Sequence, residues 1–302
     1  NQGNAGVFAG DEINLFGVGT FNDRHVGVNK AVNISLALRG DDAANYTLAS
    51  NNFTNPVGAI TQLNSVQWVG ADGASWSVAT NWAGGALPDG NNVANIVIPT
   101  SAVTVLDSNA FGTSTSVINN QGVIRFISPN NYTFANAVAG PGTLEQRGTG
   151  VLTVSGNNTM SGVINIGSGS VLLGHNNALG QGYVVSNGGA IGLNAGIVLP
   201  SLRIDGAVTT TTAITSTGNQ IYNGALTFTA LASPTPVLET DPVRAANFES
   251  SQGSVMFMNT VNGAGNRLVV SATNGGVRFN GEVGESFVGN QLSNFERVRW
   301  SD

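Results

Sequence analysis

The sequence predicts an all-β chain, most of it a repetitive solenoid, and three observations carry that expectation. Apolar runs of four or five residues recur at roughly the 8–12-residue spacing of successive short strands. Gly, Asn or Ser bounds each run, and these residues make tight turns, Gly and Asn because they tolerate positive φ. Charged residues are only 9% of the 302-residue chain, against about 25% in an average domain. Low charge with many β-branched residues is the opposite of a disordered composition.

The clearest pattern lies between Gly140 and Gly182. Gly142–Gln146, Val151–Ser155, Val163–Ile166 and Ser170–Leu173 each read as a strand. Val163-Ile164-Asn165-Ile166 alternates in the way that gives a strand one apolar and one polar face. One such strand cannot bury its apolar face alone, and stacking many similar coils solves that problem. The stretch resembles the autotransporter-associated β-strand repeat of bacterial surface proteins. The residues that carry the likeness are Gly140, Gly142, Leu144, Gly148, Gly150, Leu152, Thr153, Ser155, Gly156, Asn158, Thr159, Ser161, Gly162, Ile166, Gly169, Ser170, Leu172, Ala178, Leu179 and Gly180. The resemblance implies a right-handed parallel β-helix in a secreted passenger chain.

In chain order, residues 1–62 form a first unit with expected strands at Glu12–Phe16, Val32–Leu38 and Tyr46–Ala49. Such a run of short strands predicts a small β-sandwich. Ala9-Gly10-Asp11, Gly19-Thr20-Phe21, Val26-Gly27, Lys30, Leu36, Leu38, Gly40, Asp42, Asn45-Tyr46-Thr47-Leu48 and Ile60 resemble the YDG-type repeat of large secreted haemagglutinin-like adhesins. The naming Tyr-Asp-Gly would lie upstream of Asn1. The opening NQGNAGVFAGDE and the closing NFERVRWSD both read as the interior of a longer protein.

Residues 63–100 are expected to cap or connect. They hold Trp68, Trp76 and Trp82, three of the four tryptophans. A solenoid end leaves apolar side chains and strand edges uncovered, and large aromatics cover them well. Asn95–Pro99 reads as the first regular strand. Residues 101–302 read as one β-helix with further strands at Val103–Leu106, Val123–Ile127, Ile197–Ile204, Ala225–Phe228, Ser254–Phe257, Arg267–Ser271 and Gly276–Phe279. Parts of this array resemble the degenerate repeats of two-partner-secreted exoproteins related to filamentous haemagglutinin, around Ile221-Tyr222-Asn223-Gly224 and Gly276-Val277-Arg278-Phe279. Pro234, Pro236 and Pro242 interrupt it, since proline cannot donate to a ladder, and an excursion is expected near 232–247.

Composition restricts the partners. The net charge is −6, and the eleven Lys and Arg are scattered along the sequence, so nucleic acid, which needs a positive patch, is not an expected partner. No apolar run reaches the length of a membrane span. The chain has no cysteine, which suits one that crosses an outer membrane unfolded.

Catalytic signals are weak, and the chain reads as a non-enzyme. Between Val117 and Ala230 the acids are Glu145 and Asp205, and their context is ordinary for exposed strand positions rather than for a glycosidase pair. The two histidines, His25 and His175, have no second ligand at zinc spacing, and no cofactor is expected. Asp41-Asp42 and Asp89-Gly90-Asn91-Asn92 read as Asx-type turns, with calcium as the alternative. Two features remain as candidate binding sites. Trp68, Trp76 and Trp82 could stack on sugar rings, and Arg39-Gly40-Asp41 spells an integrin-recognition tripeptide that needs an exposed loop tip. Sequons at Asn33, Asn45, Asn52, Asn131 and Asn157 leave glycosylation open.

Together, the resemblances imply a monomeric fragment of a secreted, surface-exposed bacterial adhesin. Its expected partners are biofilm exopolysaccharide, host-cell glycans or receptors, and an outer-membrane transporter during export. The alternatives are a stalk that binds nothing itself and a polysaccharide-degrading β-helix.

Overall fold

The computed structural model describes residues 6–106, 116–228, 245–263 and 267–283. The chain divides into two compact units, Asn1–Leu63 and Asn64–Asp302. The first is a three-stranded antiparallel sheet in the order β1(Asn14–Phe21), β2(Gly27–Arg39), β3(Asn52–Ile60). The expected strand at Tyr46–Ala49 is absent. A 3-10 turn at Ala43–Asn45 occupies the approach to it, and the third strand begins at Asn52. The sheet alternates as its sequence requires: Leu15, Leu36, Leu38, Ile34 and Phe53 share one face through the register Leu15↔Leu38 and Ile34↔Phe53. Thr20, Asn33 and Thr54 share the other, where Thr54 Oγ1 donates to Asn33 Oδ1 at 3.0 Å.

The second unit is a parallel β-solenoid. One sheet contains ten strands, in spatial order from Val277–Phe279 back to Ala74–Ser75. A second contains seven, from Tyr132–Phe134 to Val261–Asn262. The third side is covered by two shorter sheets, Leu63–Gln67 to Val138–Ala139 at one end and Ile214–Ser216, Ala245–Ser250 and Arg267–Ala272 at the other. The coil repeat is visible in the register: Ile124, Leu144, Ile164, Val184 and Ile204 lie one above another at intervals of 20 residues. Each of the five is fully buried. At roughly 4.8 Å per strand, the ten-stranded sheet runs about 43 Å along the stack.

Between the two short sheets of the third side, side chains replace strand pairing. Asn158 Oδ1 accepts from the Val138 amide at 2.8 Å, and its Nδ2 donates to the Ala178 carbonyl at 2.7 Å. Asn136 donates to the Ser116 carbonyl in the same way. Buried backbone groups need partners, and these amides supply them one coil above and one below. Glycine sets the corners. At Gly206, φ is +88°, and a Cβ would stand 2.1 Å from the Ser186 carbonyl oxygen of the previous coil, so no other residue fits there.

The solenoid begins within residues 63–100, upstream of the first strand expected at Asn95–Pro99. Ala74–Ser75 pairs in parallel with Val103–Leu106, and Val93–Ile98 with Val117–Asn120. The expected Ile197–Ile204 strand is divided by Pro200: Leu199 bridges to Ser216, and a strand runs from Leu202 to Asp205. Of the excursion expected near 232–247, residues 232–244 lie outside the described residues. Residues 245–247 belong to the strand Ala245–Ser250. Towards the C-terminal end the core column becomes aromatic, with Tyr222 stacked on Phe257 at 5.1 Å and Phe257 on Phe279 at 4.9 Å.

Candidate functional site

The two binding features expected from the sequence occupy very different settings. Trp68, Trp76 and Trp82 come together, with ring centroids 4.6–6.4 Å apart and edge-to-face contacts of Trp82 with both of the others. The Trp82 indole donates to the Trp76 carbonyl at 2.9 Å. All three are 1–2% exposed, so their faces are spent on each other and on the first coil, and none is presented to a sugar ring. Arg39 closes strand β2 opposite Asn14, with its guanidinium 3.8 Å from the centre of the Phe16 ring. Gly40 has φ +121°, and a Cβ there would meet the Glu12 carbonyl oxygen at 2.0 Å. Asp41 is exposed at the turn, and the adjoining Asp42 accepts from the Glu12 amide at 3.0 Å. The tripeptide therefore spans a strand end and the turn that follows it, with all three residues exposed.

The remaining candidates are local turn residues. His175 Nδ1 accepts from the Asn177 amide at 2.9 Å, and Asp89 Oδ1 accepts from the Asn92 side chain at 2.5 Å. No group of three metal-ligating side chains forms among the described residues.

The main polar constellation lies on the outer face of the ten-stranded sheet. Glu145, 5% exposed, accepts from Arg125 Nε on the preceding coil at 2.5 Å. Arg147 donates to it through Nε at 2.9 Å and Nη2 at 2.7 Å. Burial alone would raise the Glu145 carboxyl, but the hydrogen bonds and charges of the two guanidiniums outweigh it and hold the group below the usual carboxylate range. Higher on the same face, Arg203 forms a two-pronged pair with Asp205 at 2.7 and 3.1 Å, and Asn223 donates to Asp205 from the next coil at 2.5 Å. The Arg203 hydrogen bond, with that of Asn223, lowers the Asp205 pKa despite partial desolvation. Arg203 also lies 4.8 Å over the Tyr183 ring. The register places Arg278 in the column of Arg203, through Ile221 and Met256.

Arg125, Arg147, Arg203 and Arg278 are the arginines of the solenoid unit whose side chains are described. In the sequence they are scattered; the coil repeat gathers them on one face. Sequence reasoning singled out Glu145 and Asp205 but missed the arginines, although Glu145-x-Arg147 with Arg125 20 residues before Glu145 was a usable signal. Glu145 and Asp205 stand three coils apart, roughly 14 Å. That exceeds the carboxyl separations, up to about 9.5 Å, used in glycoside hydrolysis.

Residues 1–53 match the YDG domain family. No curated protein and no solved structure matches the chain. A YDG domain joined to a β-solenoid stalk fits a fragment of a surface protein.

Proposed function

We propose that the chain is a segment of a secreted bacterial surface adhesin. The solenoid serves as a stiff stalk, and its surface and the YDG unit contact cells or biofilm matrix. The stacking of coils in register from Ala74 to Phe279 around a continuous buried core supports this reading, because such an array transmits force along its axis. Each coil contacts only its neighbours, so folding can propagate as the chain emerges from an outer-membrane transporter. The reading assigns no catalysis, since the acids of the outer face are widely spaced and neutralised by arginine.

The filled core also favours a second reading in which the segment is a scaffold for a distal tip. Beads coated with the full chain distinguish the two when presented to bacterial cells, matrix polymers and host-type glycans. Attachment above an inert coat is the expected result. Folded protein that holds no surface would remove the adhesive reading and leave the scaffold.

A further inference from the structure

We infer that the outer face of the ten-stranded sheet is a binding surface for a linear, uronate-bearing polysaccharide laid along the solenoid axis. This deepens the adhesive reading and rests on it only in that the ligand is extracellular.

Charge comes first. The strands of this sheet carry two acids among the described residues, Glu145 and Asp205, and the face carries four arginines. The carboxylates sit low and the guanidiniums stand out. Side-chain exposure is 7% for Glu145 against 50% for Arg147 and 36% for Arg125, and 28% for Asp205 against 53% for Arg203. A chain of net charge −6 thus presents a positive stripe.

Orientation comes second. Described hydrogen bonds hold Nε of all four arginines, and Nη2 of Arg147 and Arg203, against Glu145, Asp205 or Asn280. None of these bonds uses Nη1, so each guanidinium is fixed by one edge while donors remain for a second carboxylate. Pre-oriented guanidinium loses less freedom on pairing with an anion than a mobile ammonium would.

Spacing and chemistry then select the polymer. Arg125 and Arg147 lie on adjacent coils, Arg203 four coils beyond Arg125, and Arg278 three beyond that. Arg203 and Arg278 share one column, Arg125 stands two residues along the strand from it and Arg147 two further, so the arginines form a band that spans roughly 34 Å along the axis with wide gaps between charges. Half-buried Val163, Ile221 and Met256 and the amides of Asn165, Asn223 and Asn280 fill the gaps. Apolar side chains suit the C–H faces of sugar rings, amides suit hydroxyls, and separated arginines suit a carboxylate that does not recur at every atom of the backbone. A nucleic acid, with a charge every few ångströms and bases that need open aromatic faces, fits less well. Tyr183, the aromatic of this stripe, is already covered by Arg203.

The test uses the full chain, with alginate as the uronate polymer, dextran as a neutral one, and single-stranded DNA as a non-sugar polyanion. Expected is saturable alginate binding that weakens as ionic strength rises past ~0.15 M, with no binding to dextran and weaker binding to DNA. The variant R147Q/R203Q/R278Q should bind alginate roughly tenfold or more weakly while keeping its circular dichroism spectrum. R24Q, in the first unit, should bind as the parent does. Arg147→Gln with Arg278→Gln alone leaves the Arg203–Asp205 pair intact and should show an intermediate loss if the triple variant unfolds. Absence of alginate binding, DNA binding of equal strength, or indifference of the folded variants would overturn the assignment. Coated beads that still attach to cells would then show that only the ligand, and not the adhesive role, had failed.

Discussion

At the scale of single residues, Glu145 is the side chain whose environment most constrains the outer face. Two guanidiniums hold its carboxylate ionised in a nearly buried position. Its folded pKa lies below its ordinary value, so its contribution to stability is present above the unfolded pKa near 4.5. That contribution is lost as pH falls through the lower folded value. Glu145→Gln is therefore expected to melt below the parent at pH 7, with the gap narrowing as both proteins are taken towards pH 3 in thermal scans. A gap that persists unchanged in acid would mean that packing, not charge, holds the site. Tyr132 illustrates the complementary case without a partner charge: burial pushes its phenol up to about 12, and it acts as a core aromatic against Phe126, 5.9 Å away.

At the scale of the element, the coil is held on two sides by backbone ladders and on part of the third by asparagine. Asn158 satisfies one amide and one carbonyl on different coils. Asn158→Ala removes both bonds at a buried position, where each unsatisfied group costs roughly 1–3 kcal/mol. The variant should lower the urea midpoint markedly, whereas Asn157→Ala, exposed beside it and bonded to Asn177, should cost about 0.5 kcal/mol or less. Equal losses in the two variants would show that the buried amide is not the stitch between coils. The repeat resemblance already placed an Asn at this position; what it could not give was the reason, which lies in the neighbouring coils.

For the solenoid as a whole, the 20-residue interval has a direct consequence. Removing residues 164–183 would bring Val184 to the position of Ile164 and restore every column, because Ile164 pairs with Val184 and both are fully buried. Such a deletion is expected to fold, with a strand-rich circular dichroism spectrum and cooperative melting, and to lose one coil's length. Deleting 174–183 instead would displace the columns that follow by half a coil and should yield aggregated or protease-sensitive protein. If both deletions behave alike in limited proteolysis, register is not what ties the coils together. The logic is that of a one-dimensional array, in which each unit is stabilised by its neighbours.

Much of the architecture was legible in the sequence because alternation and turn residues are local signals. Val151–Val154, Val163–Ile166 and Ser170–Leu173 follow from period-2 patterning bounded by Gly and Asn. Ala190–Leu193 and Val208–Thr210 were not legible, since Gly192 and Thr210 blur the alternation and only the adjacent strands make these segments extended. The tryptophans were evident as a cluster, but their mutual burial depended on where the first coil turns. The arginine stripe was hidden for the plainest physical reason. Arg125, Arg203 and Arg278 come to lie along one face only when coils of 20, 18, 35 and 22 residues are wound, and those lengths are set by stacking. Sequence by itself determined that strands would form and which side chains would turn inward; the tertiary winding decided which outward side chains would meet, because an exposed residue's neighbours come from other coils.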